Sequence, residues 1–291
     1  MTLKEILNQA REEKWALPHF NISDAATLTG ILEAAKELSS PIMIGTSEGE
    51  ARFIGAKQAV SMIREYREEY KLPIFLNADH HKSVGLAKEA IDAGYDSVHI
   101  DLSVQKFEEN LAGTKEIVRY AKSKSASWRK EISVEGEVGY FVTESSKIYK
   151  EVVEIPPESL TKPEEAERFV RETGVDRFAP AVGNLHGIPS NVKKLDIERI
   201  RQIRERLGEV ALVLHGGSGT PDDQIKAAIA AGINNAHINT EIRVAYARAV
   251  RIFLANNSEE TTPYKILAPA IEAVRVKVLE KIKLFGSENK V

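Results

Sequence analysis

Short apolar runs alternate with helix-like segments eight times along this chain, and this alternation limits the possible folds more than any other feature. The predicted strands cover residues 16–21, 41–46, 73–78, 97–102, 131–138, 177–182, 210–214 and 235–238. A helix or a helical connection follows each strand, and several of these helices end at a glycine, as helices often do. Regular alternation of strand and helix predicts a parallel sheet.

Eight such units in a chain of 291 residues predict a closed (β/α)8 TIM barrel of the α/β class. The competing fold is an open, doubly wound sheet, but no Gly-x-Gly-x-x-Gly follows the first strand. No change in composition marks a linker, so we expect residues 1–291 to form a single domain. An N-terminal helix is predicted over residues 2–14, and a C-terminal helical extension ends with a helix over 269–285. Residues 139–162 form the longest irregular stretch.

Composition excludes several classes of partner and site. The net charge of −3 at pH 7 gives no reason to expect a nucleic acid or an anionic membrane as partner. The absence of cysteine excludes disulfides and thiolate metal sites. The first residues form an amphipathic helix start without a signal-peptide pattern, and no window of about 18 consecutive apolar residues occurs. We therefore expect a cytoplasmic protein that does not span a membrane.

Polar and titratable side chains collect where the predicted strands end. Barrels of this kind bind their ligands at the carboxyl ends of the strands. All seven histidines of the chain lie in or directly after a predicted strand, which scattered surface histidines would not do. The candidates are His19, Asn21, Thr46, Ser47, Asn77, Asp79, His80, His81, His99, Asp101, Glu135, Glu137, Asn184, His186, His215, His237, Asn239, Thr240 and Glu241.

Three of these histidines predict a zinc site. His80, His186 and His215 each end a strand, and three neutral imidazoles suit zinc with one coordination position left open. The alternative for each is a buried histidine bonded to nearby backbone. That structural role is our expectation for His19 and His99, which precede their strand ends or point elsewhere by alternation.

The segment after His215 predicts an anion site. It reads Gly-Gly-Ser-Gly-Thr, followed by Pro221 and two aspartates that suit the first turn of a helix. A flexible backbone at a helix N-terminus attracts anions such as phosphate. The alternative is an ordinary strand-to-helix turn in which the glycines only make the bend.

Five motifs in order resemble the class II, zinc-dependent ketose-bisphosphate aldolases, a family that includes the fructose-bisphosphate and tagatose-bisphosphate enzymes. The resemblance extends from Phe20-Asn21 to Arg243 and covers nearly the whole chain. The motifs are Asp-His at 79–80, Val-Glu-Gly-Glu-Val-Gly at 134–139, Gly-Asn-Leu-His-Gly at 183–187, Leu-His-Gly-Gly-Ser-Gly at 214–219 and Asn-Thr-Glu at 239–241.

This resemblance implies a role for each matching residue. It makes His80, His186 and His215 the ligands of one zinc ion per chain, with Glu137 as an additional or alternate ligand, and Asp79 the acid/base at the substrate hydroxyl. One phosphate, beside a monovalent cation such as Na⁺, would be held by the glycine loop, and Arg243 with Ser47 would bind the distal phosphate. The full predicted substrate-binding set is Asn21, Ser47, Gly187, Gly216, Gly217, Ser218, His237, Asn239, Thr240 and Arg243.

The implied chemistry is the reversible retro-aldol cleavage of a ketose (bis)phosphate such as fructose 1,6-bisphosphate. The products would be dihydroxyacetone phosphate, or a related ketone donor, and an aldehyde such as glyceraldehyde 3-phosphate. A metal polarises the carbonyl and absorbs the charge that develops on the ene-diolate. Asp79 neighbours His80, so its carboxylate would lie beside the metal-bound substrate, as a proton acceptor must.

Four departures from the family pattern bear on the site; the first removes a histidine that supports the metal ligands, and the others concern the substrate side. Asn77 replaces a histidine, and the strand-8 Lys-Ile-Asn becomes Asn235-Ala236-His237. The glycine-rich loop that carries the family's proton-donating glutamate is replaced at 140–146, where Ser145 takes the expected position and Glu144 is the nearest acid. Ser190 replaces the lysine that contacts the donor phosphate. We therefore expect a weaker need for the donor phosphate, and Glu144 as the candidate catalytic loop residue.

Two other functions remain open at this point: a different zinc-dependent barrel enzyme, such as a hydrolase, and a weakly active or inactive relative that binds a sugar phosphate. Strand 1 carries His19-Phe20-Asn21 and lacks the His-x-His of the amidohydrolase type, which argues against the first. The resemblance also implies a homodimer or homotetramer, with the helix around 269–285 as a contact.

Overall fold

Eight parallel strands close into a barrel in chain order, with the last strand paired to the first. The computed structural model describes residues 1–139, 147–191 and 194–291. The strands are β1 (Leu17–Asn21), β2 (Ile42–Thr46), β3 (Ile74–His81), β4 (Ser97–Ile100), β5 (Ser133–Val138), β6 (Arg177–Pro180), β7 (Ala211–Leu214) and β8 (Ile233–Ile238). The predicted (β/α)8 barrel is confirmed.

Helices surround the barrel and cover the outer faces of its strands. They are α1 (Leu3–Glu13), α2 (Ala25–Glu37), α3 (Glu48–Ile54), α4 (Ala56–Tyr70), α5 (Val84–Ala93), α6 (Phe107–Trp128), α7 (Pro163–Thr173), α8 (Ile197–Leu207), α9 (Asp222–Ala231), α10 (Thr240–Asn256) and α11 (Pro263–Phe285). None of the helices in the described ranges is both long and apolar enough to cross a membrane.

Two helices differ from the expectation. Helix α3 is not among the elements expected from the sequence, although Ser47 and Glu50 form a capping box at its start, with a backbone-to-side-chain hydrogen bond in each direction. That Ser-x-x-Glu spacing is a helix signal. The final helix begins at Pro263 and continues through Pro269, which was predicted to start it. Proline is well tolerated at the first position of a helix, and Pro263 occupies that position here.

The two faces of the strands differ in chemistry. Outward residues such as Ile44, Leu76 and Phe178 pack against the helices in the main apolar core. Inward residues include Asn77, Glu135 and Arg177, all fully buried. Strand side chains alternate between faces, so this polar interior follows directly from the period of two. TIM barrels more often fill their interior with branched apolar residues.

Helix α1 closes the end of the barrel at which the strands begin. Its Leu3, Ile6 and Leu7 are buried together with Trp15 and Met43 in a second apolar cluster. An N-terminal capping box between Thr2 and Glu5 stabilises the start of this helix. The opposite end, where the strands terminate, is therefore the open end of the barrel.

Candidate active site

A cavity of about 530 Å³ opens at the carboxyl ends of the strands, and every one of the eight strand ends or the loop after it contributes to its wall. Of the predicted site residues, Gly217 does not line it, and Glu144 lies outside the described residues. The lining residues are Asn21, Ser47, Glu48, Gly49, Asp79, His80, Lys82, Asp101, Glu137, His186, Gly187, His215, Gly216, Ser218, His237, Asn239, Thr240 and Arg243.

The three predicted metal ligands meet in this cavity. The ring centroid of His80 lies 4.4 Å from that of His215 and 4.7 Å from that of His186. The rings of His186 and His215 are 6.0 Å apart. Strands β3, β6 and β7 are separated widely along the chain, so only closure of the barrel brings these imidazoles together.

An irregularity in β3 lets two consecutive residues face the same cavity. In a regular strand, Asp79 and His80 would point to opposite faces. His80 has a φ of +49°, and the pairing of β3 with β4 shifts between Ala78 and His81. A left-handed residue other than glycine is uncommon and is strained, and such residues cluster at functional sites. Here it places both the carboxylate and the imidazole at the cavity wall.

Hydrogen bonds to carboxylates identify the nitrogen that two of the candidate ligands, His80 and His215, would offer to a metal. His80 Nδ1 lies 2.8 Å from Asp101 Oδ2, so this nitrogen donates and Nε2 is the nitrogen left to bind a metal. Nε2 of His80 is buried and has no hydrogen-bond partner in the described part of the chain. His215 Nε2 donates to Glu135 Oε1 at 2.6 Å, which leaves Nδ1 as the candidate ligand atom. Carboxylate–histidine pairs of this kind are typical supports of a zinc site.

The carboxylates around the histidines favour a cation at this point. Burial alone would lower the pKa of His80, but Asp79, Asp101 and Glu137 outweigh it and raise this pKa to about 10. By contrast, burial lowers the pKa of His215 well below its usual value, and the neighbouring His80 lowers it further. Neutral His215 and the clustered carboxylates fit a divalent cation with nitrogen and oxygen ligands.

His99, for which a structural role is expected, is fully buried and does not line the cavity, but it packs against two candidate ligands. Its ring is 4.5 Å from that of His80 and 4.7 Å from that of His215. Its Nε2 lies 3.3 Å from Glu137 Oε2. The outward-facing Val98 and Ile100 on either side of it are a signal that strand alternation turns His99 into the barrel.

The comparisons with known proteins agree with this geometry. The family model described as "Fructose-bisphosphate aldolase class-II" matches residues 1–290. The chain is 37% identical to the fructose-bisphosphate aldolase of Geobacillus stearothermophilus, with 100% of this chain and 98% of the relative covered. The chain belongs to the class II fructose-bisphosphate aldolase family. Zinc dependence is a general property of that family.

Another relative and a solved structure are also similar to this aldolase. The probable fructose-bisphosphate aldolase of Bacillus subtilis strain 168 is 36% identical, with 99% of this chain and 98% of the relative covered. The crystal structure of the YdjI aldolase from Escherichia coli K12 matches with a TM-score of 0.82 at 30% identity, covering 99% of this chain and 98% of that chain. The predicted enzyme class, a lyase, is thereby confirmed.

In this aldolase, Asp79 is held by Asn21 and lies beside His237. Asn21 Nδ2 donates to Asp79 Oδ2 at 3.0 Å, and His237 Nδ1 lies 3.5 Å from Asp79 Oδ1. The ring of His237 stacks on that of His19 at 3.5 Å with an angle of 5° between the planes. Burial raises the pKa of the Asp79 carboxyl, but His80 and the other histidines outweigh this and hold it well below its usual value.

Beneath the cavity lies a polar core cluster of Arg177, Glu135, Asn77, Asn235 and His19. Arg177 forms a fully buried ion pair with Glu135 at 2.7 Å. Its guanidinium also donates to Asn77 Oδ1 at 2.9 Å and to Asn235 Oδ1 at 3.1 Å. Sequence analysis missed Arg177, because a lone arginine at the start of a strand has no distinctive local pattern.

The polar core cluster also orients the stacked histidines. Asn235 Nδ2 donates to the Leu17 carbonyl at 2.9 Å, so Asn235 Oδ1 is left to face His237 Nε2 at 3.4 Å. His237 Nε2 therefore carries a proton, and Nδ1 presents its lone pair to Asp79. Burial and the neighbouring His215 lower the pKa of His237 to about 3, which keeps the ring neutral.

The glycine loop after β7 packs tightly against the loop after β6. Gly216 has a φ of +61°, and a Cβ there would lie 2.4 Å from the Leu185 carbonyl oxygen, so only glycine fits. The Gly217 amide donates to the His237 carbonyl at 3.1 Å and is thus used within the fold. Ser218 Oγ accepts from the amides of Asn239 and Glu241, each at 3.3 Å. Gly187, Gly216 and Ser218 line the cavity together.

At the other end of the cavity, Ser47 and Arg243 lie beside a residue that sequence analysis also missed. Glu50 is 6% exposed and forms an ion pair with Arg243. Ser190, which replaces the family's lysine, is exposed and does not line the cavity. Residues 140–146, which include Glu144, and residues 192–193 lie outside the described residues.

Proposed function

We propose that this chain catalyses the reversible retro-aldol cleavage of a ketose phosphate into dihydroxyacetone phosphate, or a related ketone donor, and an aldehyde. One observation carries the proposal: the Asp79 carboxylate, three converging histidines and the Gly216–Ser218 loop line one cavity. Together these groups supply a base, a metal site and an anion site, which the reaction requires. Membership of the class II aldolase family supports the same activity.

The proposed zinc ligands are His80 through Nε2, His215 through Nδ1 and His186, with Glu137 as an additional or alternate ligand. The bonds from His80 to Asp101 and from His215 to Glu135 support this choice. Zinc, when bound, polarises the substrate carbonyl and stabilises the negative charge of the ene-diolate.

Asp79 is the proposed base that takes the proton of the C4 hydroxyl. Asn21 orients the carboxylate through its bond to Oδ2, which leaves Oδ1 toward His237. Once Asp79 holds the proton, the lone pair on His237 Nδ1 is placed to accept a hydrogen bond from it. Asn21, His237, Asn239 and Thr240 are the proposed contacts of the substrate hydroxyls, and Glu144 stays a prediction for the later protonation step.

The donor phosphate is proposed to bind at Gly187, Gly216 and Ser218, beside a monovalent cation such as Na⁺. Losing the family's lysine removes a charged partner that is typically worth about 1.5–3 kcal/mol, or roughly ten- to a hundredfold in affinity. We therefore expect unphosphorylated dihydroxyacetone to serve as a donor. A preference of about a thousandfold or more for dihydroxyacetone phosphate in kcat/KM, more than that loss allows, would contradict this.

The proposal also includes predictions of the oligomeric state and of the cellular location. We expect a homodimer or homotetramer, which light scattering at micromolar concentration would test; a monomer mass would refute it. In α11, Val274, Val278 and Ile282 are buried against the barrel, so a contact through this helix would use its other face. Location in the cytoplasm stays a prediction.

An aldol cleavage assay with and without a chelator tests the activity. We expect cleavage of a ketose 1-phosphate to stop when zinc is removed and to return when zinc is added. His215→Ala should lower both zinc content and turnover. Equal zinc content in wild type and His215→Ala would refute the ligand assignment. Binding of a sugar phosphate without turnover by the zinc-loaded protein would identify a binding-only relative.

A further inference from the structure

A buried carboxylate contacts the part of the cavity wall at which a second phosphate would be expected. Ser47 and Arg243 are the two residues matched to the distal phosphate, and both contact Glu50. Ser47 N donates to Glu50 Oε2 at 2.8 Å, and Glu50 N donates to Ser47 Oγ at 3.4 Å. Arg243 Nη2 donates to Glu50 Oε1.

Glu50 is held too firmly to move aside for an anion. Its Oε2 accepts from Asn21 Nδ2 at 3.0 Å as well as from Ser47, and its Oε1 accepts from Ser23 Oγ at 3.3 Å as well as from Arg243. Four donors thus surround a carboxylate that is 6% exposed. Turning a buried carboxylate away from such partners leaves charges and donors unpaired, which is strongly unfavourable.

A phosphate at Arg243 would therefore share the guanidinium with a fixed carboxylate. Like charges this close repel, and the partly buried setting screens them less than water does. The capping box also engages the Ser47 amide, which would otherwise be a donor for the phosphate. Glu48 adds another carboxylate to the same wall of the cavity. Lys82 also lines the cavity, and its amide donates to Glu48 at 2.7 Å.

An uncharged hydroxyl meets none of these penalties. It can donate to a carboxylate oxygen and accept from a guanidinium, so it satisfies both members of the Glu50–Arg243 pair. The pair also reaches the reacting end of the cavity, because Asn21 Nδ2 bridges Glu50 Oε2 and Asp79 Oδ2, each at 3.0 Å.

We infer that Glu50 is a specificity-determining residue that excludes a second phosphate, so that the substrate is a ketose 1-phosphate whose far end is a free hydroxyl. This inference rests on the proposed aldolase function for its chemistry. The observation behind it is independent of the metal site: one buried carboxylate pairs with both residues expected to bind the distal phosphate.

The test compares D-fructose 1-phosphate with D-fructose 1,6-bisphosphate in wild type and Glu50→Gln. The amide keeps an acceptor for the helix cap but removes the charge. We expect wild type to favour the monophosphate in kcat/KM, and Glu50→Gln to shift the ratio toward the bisphosphate by about 10- to 100-fold, or about 1.4–2.8 kcal/mol. Using a ratio cancels any general loss of activity that the variant causes.

Glu5→Gln is the matched control. Glu5 is the same third helical residue of a Thr-x-x-Glu capping box, at the opposite end of the barrel. It should leave the ratio unchanged. A bisphosphate preference in wild type, or a ratio that Glu50→Gln moves no further than Glu5→Gln, would overturn the inference.

Calorimetry in an Asp79→Asn background separates this inference from the proposed function. Dissociation constants for the two sugars can be measured there without interference from cleavage. If Glu50→Gln shifts the affinity ratio toward the bisphosphate while wild type cleaves neither sugar, the specificity role of Glu50 stands and the aldolase activity fails. If cleavage occurs and neither ratio moves, the aldolase activity stands and the role of Glu50 is refuted.

Discussion

The strand-end residues and the polar core cluster beneath them use the same strands for different purposes. The strand-end cluster, defined as Asp79, His80, Glu137, His186 and His215, lines the cavity and would contact metal and substrate. The polar core cluster lies deeper and is fully buried at every position. The first was predicted from sequence and the second, as a set, was not. The difference suggests that chemistry resides at the strand ends and that the core cluster holds those groups in place.

Asp79→Asn should give the largest effect and should affect chemistry alone. Because the amide cannot accept the hydroxyl proton, kcat should fall by something like 10²–10⁴. Zinc content and melting temperature should stay near those of wild type, since the side chain keeps its shape. Steady-state kinetics and metal analysis check this, and near-normal turnover would remove Asp79 from the mechanism.

Arg177→Met changes the polar core cluster, and its main effect should be a loss of stability. It leaves Glu135 buried without its cation, and breaking a buried pair from one side costs about 3–5 kcal/mol. Urea unfolding measures this loss. Adding Glu135→Gln should restore part of the stability, because no unpaired charge then remains. If Arg177→Met lowers the free energy of unfolding by less than about 1 kcal/mol, which is well below that range, the polar core cluster does not stabilise the fold.

Asp101→Asn tests whether the hydrogen bond from His80 to Asp101 orients a residue of the strand-end cluster. Asp101 holds His80 Nδ1 at 2.8 Å, and loss of such a partner typically lowers metal affinity about 10- to 100-fold. Competition with a chromogenic chelator gives the zinc affinity. The unfolding free energy measured without zinc should change little by comparison. Unchanged zinc affinity would mean that Asp101 does not orient His80.

Ser103→Ala should give the smallest effect. Ser103 Oγ donates to Asp101 Oδ1 at 2.6 Å and so lies one step further from the metal ligands. A typical net hydrogen bond is worth about 0.5–1.5 kcal/mol, so zinc affinity should fall only about two- to tenfold. The same competition assay applies. An effect larger than that of Asp101→Asn would reverse the order proposed here.

Much of the candidate metal site was predictable because each proposed ligand lies at or after the end of a strand run in the sequence. His80, His186 and His215 follow apolar runs, and strand ends share one rim in a barrel. The inward position of the fully buried His99 follows from the outward-facing Val98 and Ile100. Glu50 carried a helix-capping signal, but capping says nothing of a contact with Arg243, which lies 193 residues further along the chain.

The sequence by itself determined the order of the strands and of most helices, the family and the identity of the groups at the strand ends, because these depend on local periodicity and on motifs. Only the tertiary structure decided which of those groups meet. The left-handed backbone at His80 turns two neighbouring side chains to one cavity, and the polar core cluster joins β1, β3, β5, β6 and β8. The pairing of Glu50 with Arg243 likewise requires the barrel to close. Side-chain geometry across strands distant in sequence is set by closure and packing, which no local pattern encodes.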